Sequence, residues 1–255
     1  MHSFTIGLFL FSSLLTAAVD PTVGCNPKAT FAVFPQMAVG GGWKTEIHVV
    51  NPTPTAHAYI RLQYFDDLSR PLTVMDNSFA GGLQTLSDLA VEPHQHRVVS
   101  LTGGATTQQG YVLAHYCNAN LRLIYSSFTN GHLSEAIVPA LVTAMNGYGI
   151  PYDNTGGKST GIALVNSDLL KPLDYRAVVY HENGTQAENN LYSLAQGQHT
   201  SFDLVSHFPE TSGRMGTIAF YVVTSSVSSS QLSFTGLRFT PGGAFTGIDP
   251  VSIIP

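Results

Sequence analysis

Apolar and polar residues alternate along several short stretches of this chain, as they do in β-strands that bury one face. In YIRLQYF (residues 59–65) every second side chain is apolar, and in LRLIYSSF (residues 121–128) the same period places Leu121, Leu123 and Tyr125 on one face. Turn-forming clusters such as NPTPT and HENGT separate these stretches. No window of about a dozen residues carries a convincing helical period. The pattern predicts an all-β protein.

The chain also repeats itself. GGWKTEIHVVN (residues 41–51) aligns with GGKSTGIALVN (residues 156–166), so that Asn51 lies over Asn166 at an offset of 115 residues. Further matches follow in the same order at offsets of 103 to 111 residues. They pair Gln95 and His96 with Gln198 and His199, GYVLAHY (110–116) with GTIAFYV (216–222), and FTNG (128–131) with FTPG (239–242). Insertions and deletions in loops produce such drift, so the pattern predicts a tandem duplication.

Two repeats of about 110 residues, each with several short strands, predict two tandem antiparallel β-sandwich domains of immunoglobulin-like size. The expected boundaries are residues 28–145 for the first domain and 146–255 for the second. We expect Asn51 to end its strand, because an Asn side chain readily starts a turn. The glycine-rich segments 40–45 and 156–160 should form strand-entry turns in which Gly supplies the positive φ angles.

An uncharged apolar block occupies the N-terminus. It runs SFTIGLFLFSSLLTAAV (residues 3–19), ends in small residues and is followed by Asp-Pro. This arrangement is typical of a secretory signal peptide, so we expect residues 1–18 to be removed and residues 19–27 to begin the mature chain. Two alternatives stay open: a short membrane anchor, and a lipoprotein signal ending at Cys25. No other segment of the sequence predicts a membrane span.

The chain contains two cysteines, Cys25 and Cys117. A single pair in an exported protein favours a disulfide, which would tie the start of the mature chain to the first domain. Closing so long a loop would stabilise the fold by about 4 to 5 kcal/mol in the chain-entropy model. Two buried free thiols are the alternative. Neither cysteine has a second Cys or His at ligand spacing, so the pair predicts no metal site.

Composition restricts the expected partners. Charged residues make up 11% of the chain, and the formal net charge of −5 comes without a basic stripe, so the sequence predicts no nucleic-acid partner. With 44% apolar residues, the chain should be globular rather than disordered. The partners that we expect are other surface proteins, a second copy of the chain, or glycans.

A longer pattern resembles a known group of proteins. FPQMAVGGGWKTEIHVVNPTP (residues 34–54) and FTNGHLSEAIVPA (residues 128–140) are similar to the "FPxxxxGGGWxTxxxLxNP" and "GVPA"-like signatures of exported bacterial proteins with tandem immunoglobulin-like β-sandwich domains. The likeness covers nearly all of the expected mature chain and rests on structural positions such as Trp43. It implies secretion and a β architecture, and it supplies no catalytic residue. The second repeat departs from the signature, since Lys158 stands where the first has Trp43.

The sequence lacks familiar catalytic motifs. GGKST (residues 156–160) has no glycine at the first position of a phosphate-binding loop, and no GxSxG nucleophile motif occurs. Asp66 and Asp67 are adjacent in a predicted turn and would not face each other as a catalytic pair. The formal glycosylation sequon at Asn183 is better explained as a hairpin turn. The sequence therefore predicts no catalytic residue and no cofactor.

Histidine is frequent, with ten in the chain. His94 and His96 are two residues apart and would share one face of a strand, a spacing that could hold a metal with His115 or His57 from a neighbouring strand. The alternative is that they are surface histidines. The second repeat has Gly197 in place of His94, so such a site would exist in one repeat only.

Three function classes remain open. The first is a non-catalytic secreted or cell-surface structural or adhesive protein, which could self-assemble. The second is an extracellular binding module for a carbohydrate or another surface ligand, with Trp43, Tyr148 and Tyr152 as aromatic platforms. The third is a hydrolase or metal-dependent enzyme with its site at the domain junction. If the protein is purely structural, we expect no pocket with convergent polar groups beside the glycine-rich segments.

Export should leave a mature chain that starts near Val19 and carries the disulfide. Intact-mass measurement of the exported protein, with and without reductant, checks both expectations, because reducing one disulfide adds the mass of two hydrogen atoms. A retained N-terminal block, or no mass change on reduction, would contradict them.

Overall fold

The computed structural model describes Cys25 and residues 29–77, 82–129, 132–141, 147–223 and 232–252. The predicted signal peptide, and the segment 19–27 apart from Cys25, lie outside these residues. Strands dominate the described part, which also holds one four-residue helix and one short 3-10 turn. The prediction of an all-β protein built from antiparallel sheets is confirmed.

We refer to residues 29–141 as the first half and to residues 147–252 as the second half. The strands of the first half are β1 (Thr30–Val39), β2 (Trp43–Val50), β3 (Ala58–Phe65), β4 (Val74–Asp76), β5 (Gly82–Gln84), β6 (Leu86–Val91), β7 (His96–Thr102), β8 (Gln108–Cys117), β9 (Asn120–Thr129) and β10 (His132–Val138). Those of the second half are β11 (Gly147–Asp153), β12 (Ser159–Asn166), β13 (Leu173–His181), β14 (Gln186–Leu194), β15 (His199–Asp203), β16 (Met215–Val222), β17 (Leu232–Phe239), β18 (Phe245–Ile248) and β19 (Val251–Ser252). The helix α1 (Leu204–His207) and the 3-10 turn (Pro209–Thr211) follow β15.

The strands form four antiparallel sheets. In the first half, the sheet β1-β8-β3-β6 packs against the sheet β10-β9-β2-β7-β4-β5 around one hydrophobic core. In the second half, the sheet β14-β13-β16-β11-β19 packs against the sheet β15-β12-β17-β18 around another. Strand β3 shows the expected period, because every second side chain is buried in the first core.

The two halves share one strand order. The order β1-β8-β3-β6 recurs as β11-β16-β13-β14, and the order β10-β9-β2-β7 recurs as β18-β17-β12-β15. The first half adds β4 and β5, and the second adds β19 and α1. In both halves the first strand pairs with β8 or its counterpart β16, whereas the first strand of an immunoglobulin constant domain pairs with the second. The likeness to immunoglobulin domains therefore lies in size and in the two-layer arrangement.

Asn51 and Asn166 end equivalent strands by the same hydrogen bonds. Both residues are fully buried, and each Nδ2 donates to backbone carbonyls of two neighbouring segments. Each Oδ1 accepts the backbone N–H two residues ahead, from Thr53 or Asp168. Each backbone N–H donates to the carbonyl just before β7 or β15. The prediction that this Asn starts a turn through its own side chain is confirmed.

Gly110 and Gly216 also occupy equivalent positions, in β8 and β16. A Cβ atom on Gly110 would lie 1.9 Å from the carbonyl oxygen of Phe65, and one on Gly216 would lie 2.0 Å from that of Tyr180. No side chain larger than hydrogen fits at such a distance, so each glycine lets a neighbouring strand approach closely. The two halves thus have a glycine at the same close contact between neighbouring strands.

Cys25 and Cys117 form a disulfide, with their Cα atoms 5.9 Å apart. Cys117 is the last residue of β8, an interior strand that pairs with both β1 and β3. The bond ties the chain ahead of β1 to the first half. The predicted disulfide is confirmed, and the alternative of two free thiols is wrong.

The sheet β15-β12-β17-β18, which we call the covered sheet, is buried on both faces. Its inner face contributes Ile162 and Leu164 to the second core. Its outward face packs against the first half, where Val165 clusters with Tyr111 and Leu237 joins the first core. This explains why β12 and β17 show nearly continuous burial instead of strict alternation.

Adding a methyl group at either close-packed glycine should destabilise the fold. We expect Gly110→Ala and Gly216→Ala each to lower the free energy of unfolding by about 3 kcal/mol or more, because a backbone carbonyl would have to move. Gly104→Ala is the matched control, since its Cβ would meet nothing within 4 Å, and it should change stability by less than about 1 kcal/mol. Urea denaturation of the three variants checks this, and equal effects would contradict it.

Candidate functional site

A cavity of about 390 Å³ lies between the two halves, and we call it the junction cavity. Its floor is the outward face of the covered sheet, and its other walls come from β1, β2, β8 and β9. Strand register places Asp203 beside Gly161, and Ala163 between Ser201 and Thr235. Because Ala163 is small, the middle strand leaves room between Ser201 and Thr235, whereas at Gly161 the ring of Phe239 lies against the strand.

Trp43 lines this cavity at the start of β2. The indole is half-buried, stacks on Phe245 with ring centroids 5.2 Å apart, and lies 5.7 Å from the ring of Tyr125 at a tilted angle. It is therefore neither a fully buried core anchor nor a freely exposed platform. Together with Tyr125 and Phe239, it gives the cavity an aromatic wall.

The glycine-rich segments form the turns that were expected. Gly40 and Gly157 both have positive φ, and Trp43 and Gly40 exchange backbone hydrogen bonds across the first turn. In the second turn, Lys158 Nζ lies 2.6 Å from Asp153 Oδ2, and this bond holds the pKa of Asp153 at about 2. The lysine is thus engaged by a carboxylate. The junction cavity lies beside the first segment, since Trp43 lines it, and a purely structural protein was not expected to have a pocket with polar groups there.

Three polar side chains of the cavity wall have defined partners. Gln36 is largely buried in the irregular part of β1, and its Oε1 lies 2.9 Å from Nε2 of His199. Gln109 donates from Nε2 to Asp67. Asp203 caps helix α1, since its Oδ1 accepts two backbone N–H groups. Each of these side chains therefore has one polar atom engaged by a partner within the protein.

Two buried hydroxyls of the cavity wall have no hydrogen-bond partner among the described residues. They belong to Tyr125 and Thr235, which are 1% and 2% exposed. A buried hydroxyl without a partner costs about 1 to 3 kcal/mol, so such groups are uncommon in folded proteins. Burial raises the pKa of the Tyr125 hydroxyl above its usual range, so it remains a neutral donor.

His199 connects the two halves beside the cavity. Its fully buried side chain lies between Asp67 Oδ1, 2.7 Å from Nδ1, and Gln36 Oε1, 2.9 Å from Nε2. Its backbone N–H donates to the carbonyl of Asp67. The aligned His96 of the first half is exposed, so the two histidines of the repeated Gln-His pair lie in different environments. This role of His199 could not be predicted from the sequence, because both partners of the imidazole ring lie more than 130 residues away.

The predicted histidine cluster does not form. His94 lies in a turn with φ of 58°, ahead of β7, so it does not share a strand face with His96. The His96 ring instead contacts His48, with Nε2 and Nδ1 3.1 Å apart. His57 lies near Glu92, and His115 packs edge-on against Phe31. Among the described residues, no three His, Cys, Asp or Glu side chains are arranged to hold a metal.

Tyr148 and Tyr152 do not form exposed platforms, and that prediction is wrong. Both are only 2% exposed, because alternate residues of β11 point into the second core. The ring of Tyr148 packs edge-on against Phe234 at 4.9 Å. The hydroxyl of Tyr152 lies 3.2 Å from Nδ1 of His181. Of the three predicted aromatic residues, Trp43 alone lines the junction cavity.

The structure brings together one carboxyl pair that the sequence did not indicate. Glu188 of β14 hydrogen-bonds to Glu210 of the 3-10 turn, and this contact, with partial burial, raises the pKa of Glu188 to about 7. Hydrogen-bonded carboxyls are closer than the separation of about 5 Å or more used by glycoside hydrolases. The pair lies outside the junction cavity.

No protein-family model matches this chain, and no curated protein matches it. No helix within the described residues is long and apolar enough to cross a membrane.

Two buried tyrosines should respond in opposite ways to loss of the hydroxyl. We expect Tyr125→Phe to leave the free energy of unfolding unchanged or to raise it by about 1 kcal/mol, because it removes an unpartnered polar group. Tyr64→Phe is the matched control, since the equally buried Tyr64 hydroxyl donates to Ser87 Oγ at 2.7 Å. It should lower stability by about 1 to 3 kcal/mol. Chemical denaturation measures both, and destabilisation of similar size in both variants would contradict the assignment.

Proposed function

We propose that this protein is an exported, non-catalytic binding protein that holds a small ligand in the junction cavity. The observation that carries the proposal is the cavity itself, which combines the aromatic wall around Trp43 with the polar side chains of Gln36, Gln109 and Asp203. Its volume of about 390 Å³ falls in the range of about 300 to 1,000 Å³ that is usual for ligand pockets.

Export is supported by two features of the chain. The N-terminal apolar block is typical of a signal peptide. The Cys25–Cys117 disulfide is compatible with an oxidising compartment. The sparse charge and polar uncharged surface residues fit the same location.

Binding is favoured over catalysis by the composition of the cavity wall. Asp203 is the one carboxylate of the described wall, which includes no His, Cys, Lys or Arg, and its Oδ1 already accepts two backbone N–H groups. General acid–base or nucleophilic chemistry needs at least two cooperating groups in reach of one another. Fixed hydrogen-bonding groups with an aromatic wall suit recognition of a ligand.

A structural or adhesive role is the second candidate, favoured by how firmly the halves are joined. The first core includes Leu237 and Phe245 of the second half, and His199 bridges the junction. Self-assembly by repeating this junction between copies is disfavoured. The face of the first half equivalent to the covered face carries the ion pair of Lys44 and Glu46, which would have to be buried.

Trp43 provides a direct test, because it is the only tryptophan in the chain. We expect saturable changes in intrinsic fluorescence with members of a library of small polar compounds. Thr107→Val removes one exposed hydroxyl of the cavity wall at nearly constant volume, and we expect it to weaken such binding about tenfold.

Thr246→Val is the matched control, since Thr246 is exposed on β18 and outside the cavity wall. It should leave the affinity unchanged. Failure of every compound to change the fluorescence, or equal weakening by both valine variants, would contradict the proposal.

A further inference from the structure

We propose that the ligand of the junction cavity is an uncharged saccharide of one or two sugar units. This inference rests on the proposed binding function and adds the chemical class of the ligand. It follows from three properties of the wall: its charge, its hydrogen-bonding groups and its aromatic surface.

Charge disfavours anionic ligands. The described residues of the cavity wall include no Lys, Arg or His, and Asp203 is the one charged group among them. A carboxylate or phosphate would enter without a cationic partner and would face the negative charge of Asp203. Burying an unpaired charge is costly, so nucleotides, phosphates and acidic sugars are poor candidates.

The hydrogen-bonding groups match hydroxyls. The Oε1 atom of Gln36 faces His199, which leaves its amide N–H groups as donors. The amide nitrogen of Gln109 is used by Asp67, which leaves its Oε1 as an acceptor. The wall also includes the hydroxyls of Thr107 and Ser201, which are exposed and half-buried and can both donate and accept. A wall that mixes donors and acceptors suits a ligand whose own groups do both, and sugar hydroxyls have this property.

Asp203 adds a further acceptor for hydroxyls. Its Oδ1 is held by the backbone N–H groups of Val205 and Ser206, so the side chain is fixed in place. Its second oxygen can accept a hydrogen bond from a ligand, and hydrogen bonds to a charged acceptor are stronger than neutral ones. The carboxylate thereby favours a donor such as a hydroxyl and opposes an anion.

The aromatic surface suits the apolar side of a sugar ring. Trp43, Tyr125 and Phe239 all line the cavity, and Phe245 supports the indole from outside the wall. A pyranose has C–H groups on its ring faces and hydroxyls at its rim. Such a molecule can pack its C–H groups on the aromatic residues while its hydroxyls meet the polar groups.

The test compares neutral sugars with their acidic counterparts. Trp43 fluorescence of the mature protein is titrated with glucose, galactose, N-acetylglucosamine and cellobiose, and with glucuronate and galacturonate. Choline and cyclohexanol represent cationic and apolar ligands. We expect at least one neutral sugar to bind saturably and its uronate counterpart to bind at least about tenfold more weakly.

Asp203→Asn isolates the charge, because Asn is as good a helix N-cap as Asp and should preserve α1. We expect the ratio of neutral to acidic sugar affinity to fall below about threefold in this variant. Asp168→Asn is the matched control, since Asp168 also accepts backbone N–H groups but lies outside the cavity. It should leave the ratio unchanged.

The outcomes separate the two proposals. Preferential binding of uronates, choline or cyclohexanol would overturn the saccharide assignment while supporting a binding cavity. An unchanged ratio in Asp203→Asn would also overturn it. If no compound of the panel changes the Trp43 fluorescence, the saccharide assignment is wrong. If no compound of a broad small-molecule library changes it either, the proposed binding function is wrong as well.

Discussion

The burial of one sheet on both faces is the constraint on which the rest of this structure depends. The covered sheet faces the second core on one side and the first half on the other. Where its outward residue is Val165, the halves are in close contact, and His199 lies beside it. Next to it along the strand, the outward residue is the small Ala163, which lines the junction cavity. At Gly161 the ring of Phe239 lies against the strand and forms part of the cavity wall.

The two repeats share the buried Asn residues that end equivalent strands, but they differ in the side chains of their outward faces. The buried Asn51 and Asn166 make equivalent hydrogen bonds, so each half reaches the same strand order independently. On the outward face, however, Glu46 of the first half corresponds to Gly161 of the second. The charged Glu46 suits the face of the first half to solvent, and the small Gly161 suits the face of the second half to packing. The junction cavity is accordingly lined by residues of both halves.

Sequence patterns predicted the features that depend on local physics. Alternation identified the strands, the aligned Asn residues identified the turns, and the cysteine pair identified the disulfide. The cavity could not be predicted, because its wall combines residues from Gln36 to Phe239 and depends on which outward faces cover one another. Tyr148 was misassigned for the same reason. A tyrosine near a glycine-rich loop looks exposed in sequence, and only the sheet packing shows that it faces the core.

A crystal structure of the protein with a bound neutral saccharide would test the central claim most directly. The account predicts that the sugar lies in the junction cavity, against Trp43, with its hydroxyls within hydrogen-bonding distance of Gln36, Thr107 and Asp203. A sugar bound on the exposed face of either half, or two halves that separate in the crystal and leave Val165 exposed, would contradict it.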